Sequence, residues 1–319
     1  MRKFPKISII TVNYNGISDT IELLNSIRRF PYPNTEIFVV DNASKENPEE
    51  YLLSFYPDVK FIRSEKNLGF AGGNNLAVTR ADGDYLFFIN NDAEVTDNCL
   101  EKLVLMFDKI PKLGVVSPLI CYYAESDKLK GDLIQYAGMT AVNPLTARNK
   151  IIGEKTRDTG QFQTPQPTSY AHGAAMMVKR EIIEKVGKMD DNFFLYYEEL
   201  DWCERIRKAG YEIYVEPNAR VYHKESASVG ESSTLKTYYL NRNRILFMRR
   251  NFSNKHLIGF SAFLAFATIP KNLYTFFITG RFKHIGAFTK ALSWNIKDML
   301  SKSTSNSKFF KSVNSSNPK

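Results

Sequence analysis

The residues of this chain that could perform chemistry form three groups. Asp92 ends the run FFINND, which has the pattern of a buried strand followed by a polar turn. The acidic segment EELD, residues 198–201, comes later, and His223 follows it. A carboxylate and an imidazole are suitable ligands for a divalent metal, and a further carboxylate can act as a base. The combination predicts an enzyme site for metal-assisted transfer of a phosphorylated group.

Length and composition predict a globular chain with one large domain or two ordinary ones. The 319 residues are 43% hydrophobic, which is enough for a packed core. The three cysteines, Cys99, Cys121 and Cys203, are odd in number and show no short paired spacing. This argues against a disulfide framework and a zinc site, and favours a reducing, cytosolic compartment. The apolar run 7–12 is shorter than the core of a signal peptide, so we expect no export signal.

Basic charge is concentrated in the C-terminal part of the chain. Residues 236–319 contain 15 Lys or Arg and one acid, a net charge of +14, whereas residues 1–235 contain 28 Lys or Arg and 33 acids, a net charge of −5. Residues 256–280 are apolar and aromatic, but Pro270 divides them into pieces of about 13 and 6 residues, short of the roughly 20 that span a bilayer. Basic flanks beside apolar helices predict peripheral binding to an anionic membrane surface.

Two other interpretations of this basic region stay open. The apolar helices could form a buried pair with a solvated basic face, and nucleic acid would also attract such charge. The sequence contains no RNA- or DNA-binding motif, so we expect no nucleic acid partner. We predict a first domain at 1–235, a helical membrane-associating extension at 236–300 and a disordered basic tail at 301–319.

Short apolar runs alternate with helical patterns along the first domain. Strands are predicted at 7–13, 36–40, 59–63, 85–89 and 173–178, with helices at 67–81 and 198–209 between or after them. The alternation predicts an α/β fold with a parallel sheet and a nucleotide crevice at the carboxyl ends of its strands. Polar residues occupy those ends, whereas the segment 121–170 breaks the pattern and predicts a long loop or lid.

These motifs together resemble the family 2 inverting glycosyltransferases of the GT-A fold, especially the bacterial rhamnosyltransferase-like branch. The resemblance covers about residues 7–250, and its order and spacing are specific only in combination. The matching segments are TVNYN at 11–15, VVDNAS at 39–44, NLGFAGGN at 67–74, NND at 90–92, GAA at 173–175, the block 194–210, and His223.

The resemblance implies a GT-A nucleotide-diphospho-sugar transferase fold, in which a mainly parallel sheet is flanked by helices. The implied activity moves a sugar from a nucleotide-diphosphate donor, dTDP-rhamnose or a UDP-sugar, to a saccharide acceptor. A lipid-linked acceptor is expected, because an apolar and basic C-terminal region suits a substrate held in a bilayer. The implied setting is the cytoplasmic face of a bacterial membrane, in surface polysaccharide biosynthesis.

The resemblance also implies roles for individual residues. Asp41 accepts hydrogen bonds from the nucleotide base, although a carboxylate beyond a strand could instead cap a helix. Asp92 and His223 hold Mn²⁺ or Mg²⁺, although an isolated histidine is more often an ordinary core or surface residue. Asn90 stands where the family has an aspartate, which puts tight metal binding in question. The nucleotide-sugar-binding residues implied are Thr11, Asn13, Asn15, Asp41, Asn67, Gly69, Gly73, Asn74, Asn90 and Asn91.

Glu199 matches the catalytic base of the family, which is usually an aspartate, and Asp201 is the second candidate. The alternative is that these acids only complement the positive end of a helix dipole, worth about 0.3–1 kcal/mol each. We expect His172 and Gly173 to line the acceptor pocket. Arg242 and Arg244 could reach a diphosphate or a lipid phosphate, or be ordinary surface cations.

Two other functions fit parts of the sequence. A nucleotidyltransferase shares the α/β nucleotide fold, but the segment 11–16 is not the Gly-rich phosphate loop that it should carry. A non-catalytic sugar-nucleotide-binding or scaffold protein is kept open by Asn90 and Glu199, which both depart from the family pattern.

Overall fold

The structure is a computed structural model that describes residues 4–123, 130–224 and 233–315, with side chains at 4–123, 131–224 and 233–301. The chain divides into two compact units. The first unit comprises Met1–Val142 and Arg148–Gly230, and the second comprises Asn143–Ala147 and Glu231–Lys319. The three-part division predicted from the sequence stays a prediction.

The first unit is built on a ten-stranded sheet in the described part of the chain. Its strands are β1 (Ile7–Asn13), β2 (Thr35–Asp41), β3 (Val59–Arg63), β4 (Tyr85–Ile89), β5 (Ala93–Val95), β6 (Leu113–Tyr123), β7 (Lys130–Tyr136), β8 (Gln166–Pro167), β9 (Ala175–Lys179) and β10 (Glu212–His223). The order is β3-β2-β1-β4-β9-β6-β10-β5, with β7 paired to β6 and β8 to β10.

Most of this sheet is parallel, and helices connect its strands. Strands β3, β2, β1 and β4 pair in parallel, as do β6 and β10, while β9 joins the two groups in the antiparallel direction. The helices are α1 (Ile17–Arg29), α2 (Glu49–Phe55), α3 (Gly69–Val78), α4 (Cys99–Lys109), α5 (Arg180–Val186) and α6 (Glu198–Lys208), with a 3-10 helix at Asp191–Phe193. The predicted α/β fold class is confirmed.

The segment 121–170 differs from the predicted loop. Strand β7 pairs antiparallel with β6 in this segment and buries Ile134 and Tyr136 completely. A single apolar pair inside the mixed sequence KGDLIQY gives too short a pattern to identify a strand from sequence, so partner pairing decides its structure. Helix α3 also ends at Val78 rather than at the predicted residue 81.

The second unit contains α7 (Thr234–Asn251), α8 (Asn254–Phe263), a π-helical stretch (Leu264–Thr268), α9 (Ile269–Ile278) and α10 (Phe282–Ser315). The prediction of two short apolar pieces is wrong, because Asn254–Ile278 is one helical segment of 25 residues, long and apolar enough to cross a membrane by length and composition. Pro270 does not interrupt it, because the preceding turn, Leu264–Thr268, is π-helical and α9 continues directly from it. Residues 301–315 continue α10, and residues 316–319 lie outside the described chain, so tail disorder stays a prediction.

Candidate active site

The first element of the site is a contact between Asp92 and His223. The turn after β4 places Asp92 beside the end of β10, where the Lys224 N–H donates to the Asp92 carbonyl at 3.0 Å and His223 pairs with Ala93. Nε2 of His223 lies 3.1 Å from Oδ1 of Asp92, and both side chains are almost buried. Two residues that are far apart in sequence therefore present an oxygen and a nitrogen ligand at one point.

The His223 imidazole is fixed on both sides. Its Nδ1 lies 2.8 Å from Oε1 of buried Gln135, and Nδ2 of Asn90 lies 3.1 Å from its Nε2. An amide oxygen can only accept, so Nδ1 carries a proton and donates it to Gln135. In the neutral ring Nε2 then keeps its lone pair, as metal coordination requires. Sequence analysis missed Gln135, because it lies in the segment that was predicted to be a loop.

The geometry of this pair fits a divalent cation. Two ligands about 2.1 Å from an octahedral cation and at right angles lie about 3.0 Å apart, close to the observed separation. Burial raises the pKa of the Asp92 carboxyl, but when the His223 ring carries protons on both nitrogens its hydrogen bond and charge outweigh burial and lower that pKa. Among the described residues no group of three or more His, Cys, Asp or Glu could hold a metal. The remaining ligands would come from diphosphate and water, as is usual for Mg²⁺.

The segment His172–Ala174 connects this pair to the acidic cluster. The His172 ring packs edge-on against the His223 ring, with 6.4 Å between the ring centres. The Ala174 carbonyl accepts from the Asn90 N–H at 2.9 Å. A Cβ on Gly173 would lie 4.0 Å from the carboxyl carbon of Glu199. Burial and the charge of His223 lower the pKa of His172 to about 3, so the His172 ring is neutral at pH 7.

Glu199 lies in the first turn of α6, behind a strained loop. Phe194, Tyr196 and Tyr197 have φ of 62°, 69° and 74°, a region that costs a non-glycine residue about 1–3 kcal/mol. Glu199 is half-buried, and its Oε2 atom is buried without a hydrogen-bond partner in the described chain. Burial raises the pKa of this carboxyl to about 7, against the lowering effect of backbone N–H groups at the helix start. A carboxylate with this pKa is suited to accept a proton near neutral pH.

The two neighbouring acids differ from Glu199. Glu198 is buried, and burial followed by the charge of Glu199 raises the pKa of its carboxyl well above the usual range. Asp201 is 1% exposed in its side chain, and its Oδ2 accepts from Nε of Arg205 at 2.9 Å. The ion pair occupies Asp201, so the geometry favours Glu199 over Asp201 as the base.

The predicted nucleotide-binding residues Asn13 and Asp41 form a hydrogen-bonded network at the ends of β1 and β2. Nδ2 of Asn13 donates to Oδ1 of Asp41 at 2.8 Å, and Arg63 donates to Oδ2 at 2.7 Å. The Asp41 carboxylate has no exposed surface, so a base would reach it only after side-chain movement. Its contact with a nucleotide base stays a prediction.

Asn15 and Asn91 connect the loops around this network. Asn15 has φ of 56°, and its Oδ1 accepts from the Lys45 N–H at 2.9 Å. Nδ2 of Asn91 donates to the Gly16 carbonyl at 3.1 Å, which joins the β1–α1 loop to the turn that carries Asp92. The structure therefore brings these two asparagines next to the site, but in supporting contacts.

Residues at the start of α3 serve packing. Gly69 has φ of +73°, and a Cβ there would lie 2.1 Å from the Phe194 carbonyl oxygen, which accepts from the Phe70 N–H. A Cβ on Gly73 would lie 3.0 Å from Val12, so Gly73 lets α3 approach β1. Two other predicted nucleotide ligands make hydrogen bonds to the backbone of this region: Asn67 accepts from the Gly69 N–H, and Asn74 donates to the Phe70 carbonyl. Thr11, in β1, is fully buried.

The family model described as "Glycosyl transferase family 2" matches residues 8–187, more than half of the chain. The chain belongs to this family, which confirms the predicted family. The low-salt glycan biosynthesis hexosyltransferase of Haloferax volcanii is 26% identical over 216 residues, which cover 65% of this chain and 63% of that relative. The match therefore spans less than two thirds of that relative's length.

Two further relatives are rhamnosyltransferases by name. The N-acetylglucosaminyl-diphospho-decaprenol L-rhamnosyltransferase of Mycobacterium tuberculosis is 23% identical, over 70% of this chain and 77% of its own. The dTDP-rhamnosyl transferase RfbF of Shigella flexneri is 23% identical, over 76% of this chain and 79% of its own.

Solved structures share the fold. GalNAc-T7 with UDP, GalNAc and Mn²⁺ has a TM-score of 0.63 at 20% identity, covering 78% of this chain and 48% of that one. The mannosyltransferase PcManGT of Pyrobaculum calidifontis, in complex with GDP-Man and Mn²⁺, has a TM-score of 0.54 at 16% identity, covering 95% and 81%.

Proposed function

We propose that the protein is an inverting glycosyltransferase that moves a sugar from a nucleotide-diphosphate donor to a saccharide acceptor. The observation that carries the proposal is the position of Glu199. Its carboxyl has a buried oxygen without a hydrogen-bond partner in the described chain and a pKa of about 7, and it faces Gly173 in the segment that contacts the Asp92–His223 pair. A base and a metal-binding pair joined by one short segment suit this reaction.

The proposed reaction is a single displacement. Glu199 takes the proton of an acceptor hydroxyl while that oxygen forms a bond to the anomeric carbon. The bond between this carbon and the donor diphosphate breaks on the opposite face, so the anomeric configuration inverts. A divalent cation held by Asp92 and His223 would supply positive charge to the departing diphosphate. Gln135 keeps the His223 ring in the tautomer that such binding needs.

The names of the relatives guide the choice of substrates. Relatives named for dTDP-rhamnose and for a diphospho-decaprenol acceptor support a dTDP-deoxyhexose donor ahead of a UDP-sugar, and a lipid-linked saccharide acceptor. A role in surface polysaccharide biosynthesis, at the cytoplasmic face of the membrane, is part of the same proposal.

The second unit supports membrane association. Its helices expose large apolar side chains, and only 11% of the most apolar 18-residue stretch within Asn254–Ile278 is buried. Phe266 is 85% exposed and Ile258 is 71% exposed. Exposed lysines on α10, Lys283, Lys290 and Lys297, recur every seven residues and therefore lie along one helix face. Apolar side chains beside a basic face suit an anionic lipid surface.

The catalytic proposal is tested with a panel of dTDP-, UDP- and GDP-sugars, with and without Mn²⁺. The native chain is compared with Glu199→Gln and Asp92→Ala, and with Glu181→Gln, an exposed acid on α5, as the matched control. We expect metal-dependent release of nucleotide from one donor, lost in the first two variants and kept in the control. Donor binding with no turnover in the presence of acceptor saccharides, unchanged by Glu199→Gln, would instead indicate a non-catalytic sugar-nucleotide-binding protein.

Membrane association is tested separately by flotation with liposomes. We expect the protein to float with vesicles that contain anionic lipid and to be released by high salt, because exposed charge pairs are screened. Failure to float with anionic vesicles would contradict this part alone.

A further inference from the structure

Arg242 is a buried cation that forms no ion pair with a described acid, although a hydrogen bond with the Tyr238 hydroxyl and the charge of Asp298 act on it. Arg242 is 6% exposed, and its Nε has no hydrogen-bond partner in the described chain. The acid content explains this: Asp298 is the only acid in residues 236–319, and its Oδ2 accepts from Arg249 at 2.8 Å. A buried charge is costly unless it is paired, so the residues of α7 and α10 leave this guanidinium incomplete.

The surroundings of Arg242 hold it in place without neutralising it. Its guanidinium carbon lies 4.1 Å from the centre of the Trp294 ring and 5.3 Å from that of Tyr239. Its carbonyl accepts from Nδ2 of Asn295 at 2.9 Å, which joins α7 to α10 at this point. Aromatic faces attract a cation and the Tyr238 hydroxyl accepts a hydrogen bond, but neither supplies an acceptor to the Nε–H, which has no partner in the described chain.

Neighbouring arginines on α7 are satisfied by the protein. Nε of Arg244 donates to the Thr146 carbonyl at 3.0 Å, and Arg249 donates to Asn295 and Asp298. The difference is therefore specific to Arg242 and is not a general property of this basic helix.

We infer that Arg242 is the centre of a second anion site, which takes a phosphate or diphosphate group within the second unit. The guanidinium fork matches the oxygen geometry of phosphate, and residues 236–319 carry a net charge of +14 that attracts such anions. The group could belong to a lipid head group or to a free phosphate. This site goes beyond the proposed function, because the residues assigned there to donor and metal all lie in the first unit.

Trp294 is a built-in reporter for this site. The chain has two tryptophans, and the other, Trp202, is 1% exposed in the first unit. The full chain is titrated with inorganic pyrophosphate and with inorganic phosphate while tryptophan emission is recorded. Phosphatidylcholine vesicles containing phosphatidic acid, or the same fraction of phosphatidylglycerol, form the lipid arm. Since no sugar donor or acceptor is present, failure here leaves the proposed function untouched.

We expect a saturable change in emission with at least one phosphate probe, weakened about tenfold or more in Arg242→Met and less in Arg242→Lys. Lys290→Gln removes an exposed charge from α10 and should change affinity by less than about twofold. A response to free pyrophosphate would assign a free anion, and a response only to phosphatidic acid would assign a lipid head group.

Three results would overturn the inference. The first is that the native chain shows no saturable response to any probe. The second is that Arg242→Met binds the probes as tightly as the native chain does. The third is that the native chain responds equally to the two kinds of anionic vesicle and Arg242→Lys does not change this response. Should Arg242→Met fail to fold, the native titration and Arg242→Lys, which keeps the cation and most of the packing, still decide.

Discussion

Oε1 of Gln135 lies 2.8 Å from Nδ1 of His223, on the side of the imidazole away from the nitrogen that faces Asp92. A buried amide oxygen at this position sets which ring nitrogen carries the proton. In the proposed metal site, His223 would therefore depend on Gln135, a residue of β7, for the tautomer that leaves Nε2 free to coordinate.

Replacing Gln135 with methionine should weaken Mn²⁺ binding about 10–100-fold, because the hydrogen bond that orients the His223 ring is lost while volume is kept. Calorimetric titration with Mn²⁺ measures the change. Gln163→Met, in an exposed segment, is the control and should bind like the native chain. Equal affinities for both variants would exclude the orienting role.

Replacing Asn90 with aspartate should tighten Mn²⁺ binding by about tenfold, since a second negative ligand is placed 3.1 Å from His223 Nε2. Asn91→Asp adds the same charge one residue away, where the native amide contacts the Gly16 carbonyl. If both variants gained equally, the effect would come from general charge and not from a ligand at residue 90.

The rate of transfer should rise with pH through about 7. The base must be ionised to accept a proton, and burial raises the pKa of Glu199 to about 7, so activity falls as pH drops below that value. A pH profile of kcat/KM at saturating Mn²⁺ tests this, and Glu199→Gln should lose about 10²–10⁴-fold. A flat profile from pH 5 to 8 would contradict the assignment of Glu199.

Stability should also depend on this carboxyl. A folded-state pKa of about 7, above the unfolded value near 4.5, gives stability that is present below pH 4.5 and lost as pH rises through 7. Glutamine does not ionise, so the free energy of unfolding of Glu199→Gln should increase relative to that of the native chain between pH 5 and 8, by at most about 3 kcal/mol. Urea unfolding at several pH values measures the difference, and Glu181→Gln should show no such trend.

Gly69→Ala should destabilise the first unit more than Gly210→Ala. Both glycines have positive φ, +73° and +92°, which costs alanine about 1–2 kcal/mol. Only Gly69 also places a Cβ 2.1 Å from the Phe194 carbonyl oxygen, whereas a Cβ on Gly210 meets nothing within 4 Å. We expect a further loss of about 1–3 kcal/mol in urea unfolding. Equal losses would show that the Phe194 loop yields easily.

Sequence reasoning predicted the bounds of three strands in the parallel part of the sheet. The bounds of β1, β3 and β4 agree with prediction, because apolar runs there end at polar residues and β4 is buried at every position. The start of α6 and the glycine after it were also predicted from acids in the first turn and from Gly210. Local pattern was sufficient in these places.

The parts that were missed depend on distant partners. Strand β7 is stabilised by pairing with β6, and Gln135 gains its role only because β10 brings His223 opposite. The strained residues Phe194, Tyr196 and Tyr197 are aromatic, a type that does not predict positive φ. Unlike glycine, such residues give no sequence signal, so the loop that presents Glu199 could only be found in three dimensions.

The contact between Asn90 and His223 spans 133 positions in sequence. The conformational entropy of closing a loop of that length is lost before the contact contributes any stability. The contact also requires that β10 lies between β6 and β5. During refolding, the capacity to bind Mn²⁺ should therefore arise after the β1–β4 core has formed. The appearance of Mn²⁺ binding would then report the last stage of folding. Because Mn²⁺ would bind only the folded chain, it would also stabilise the completed sheet by mass action.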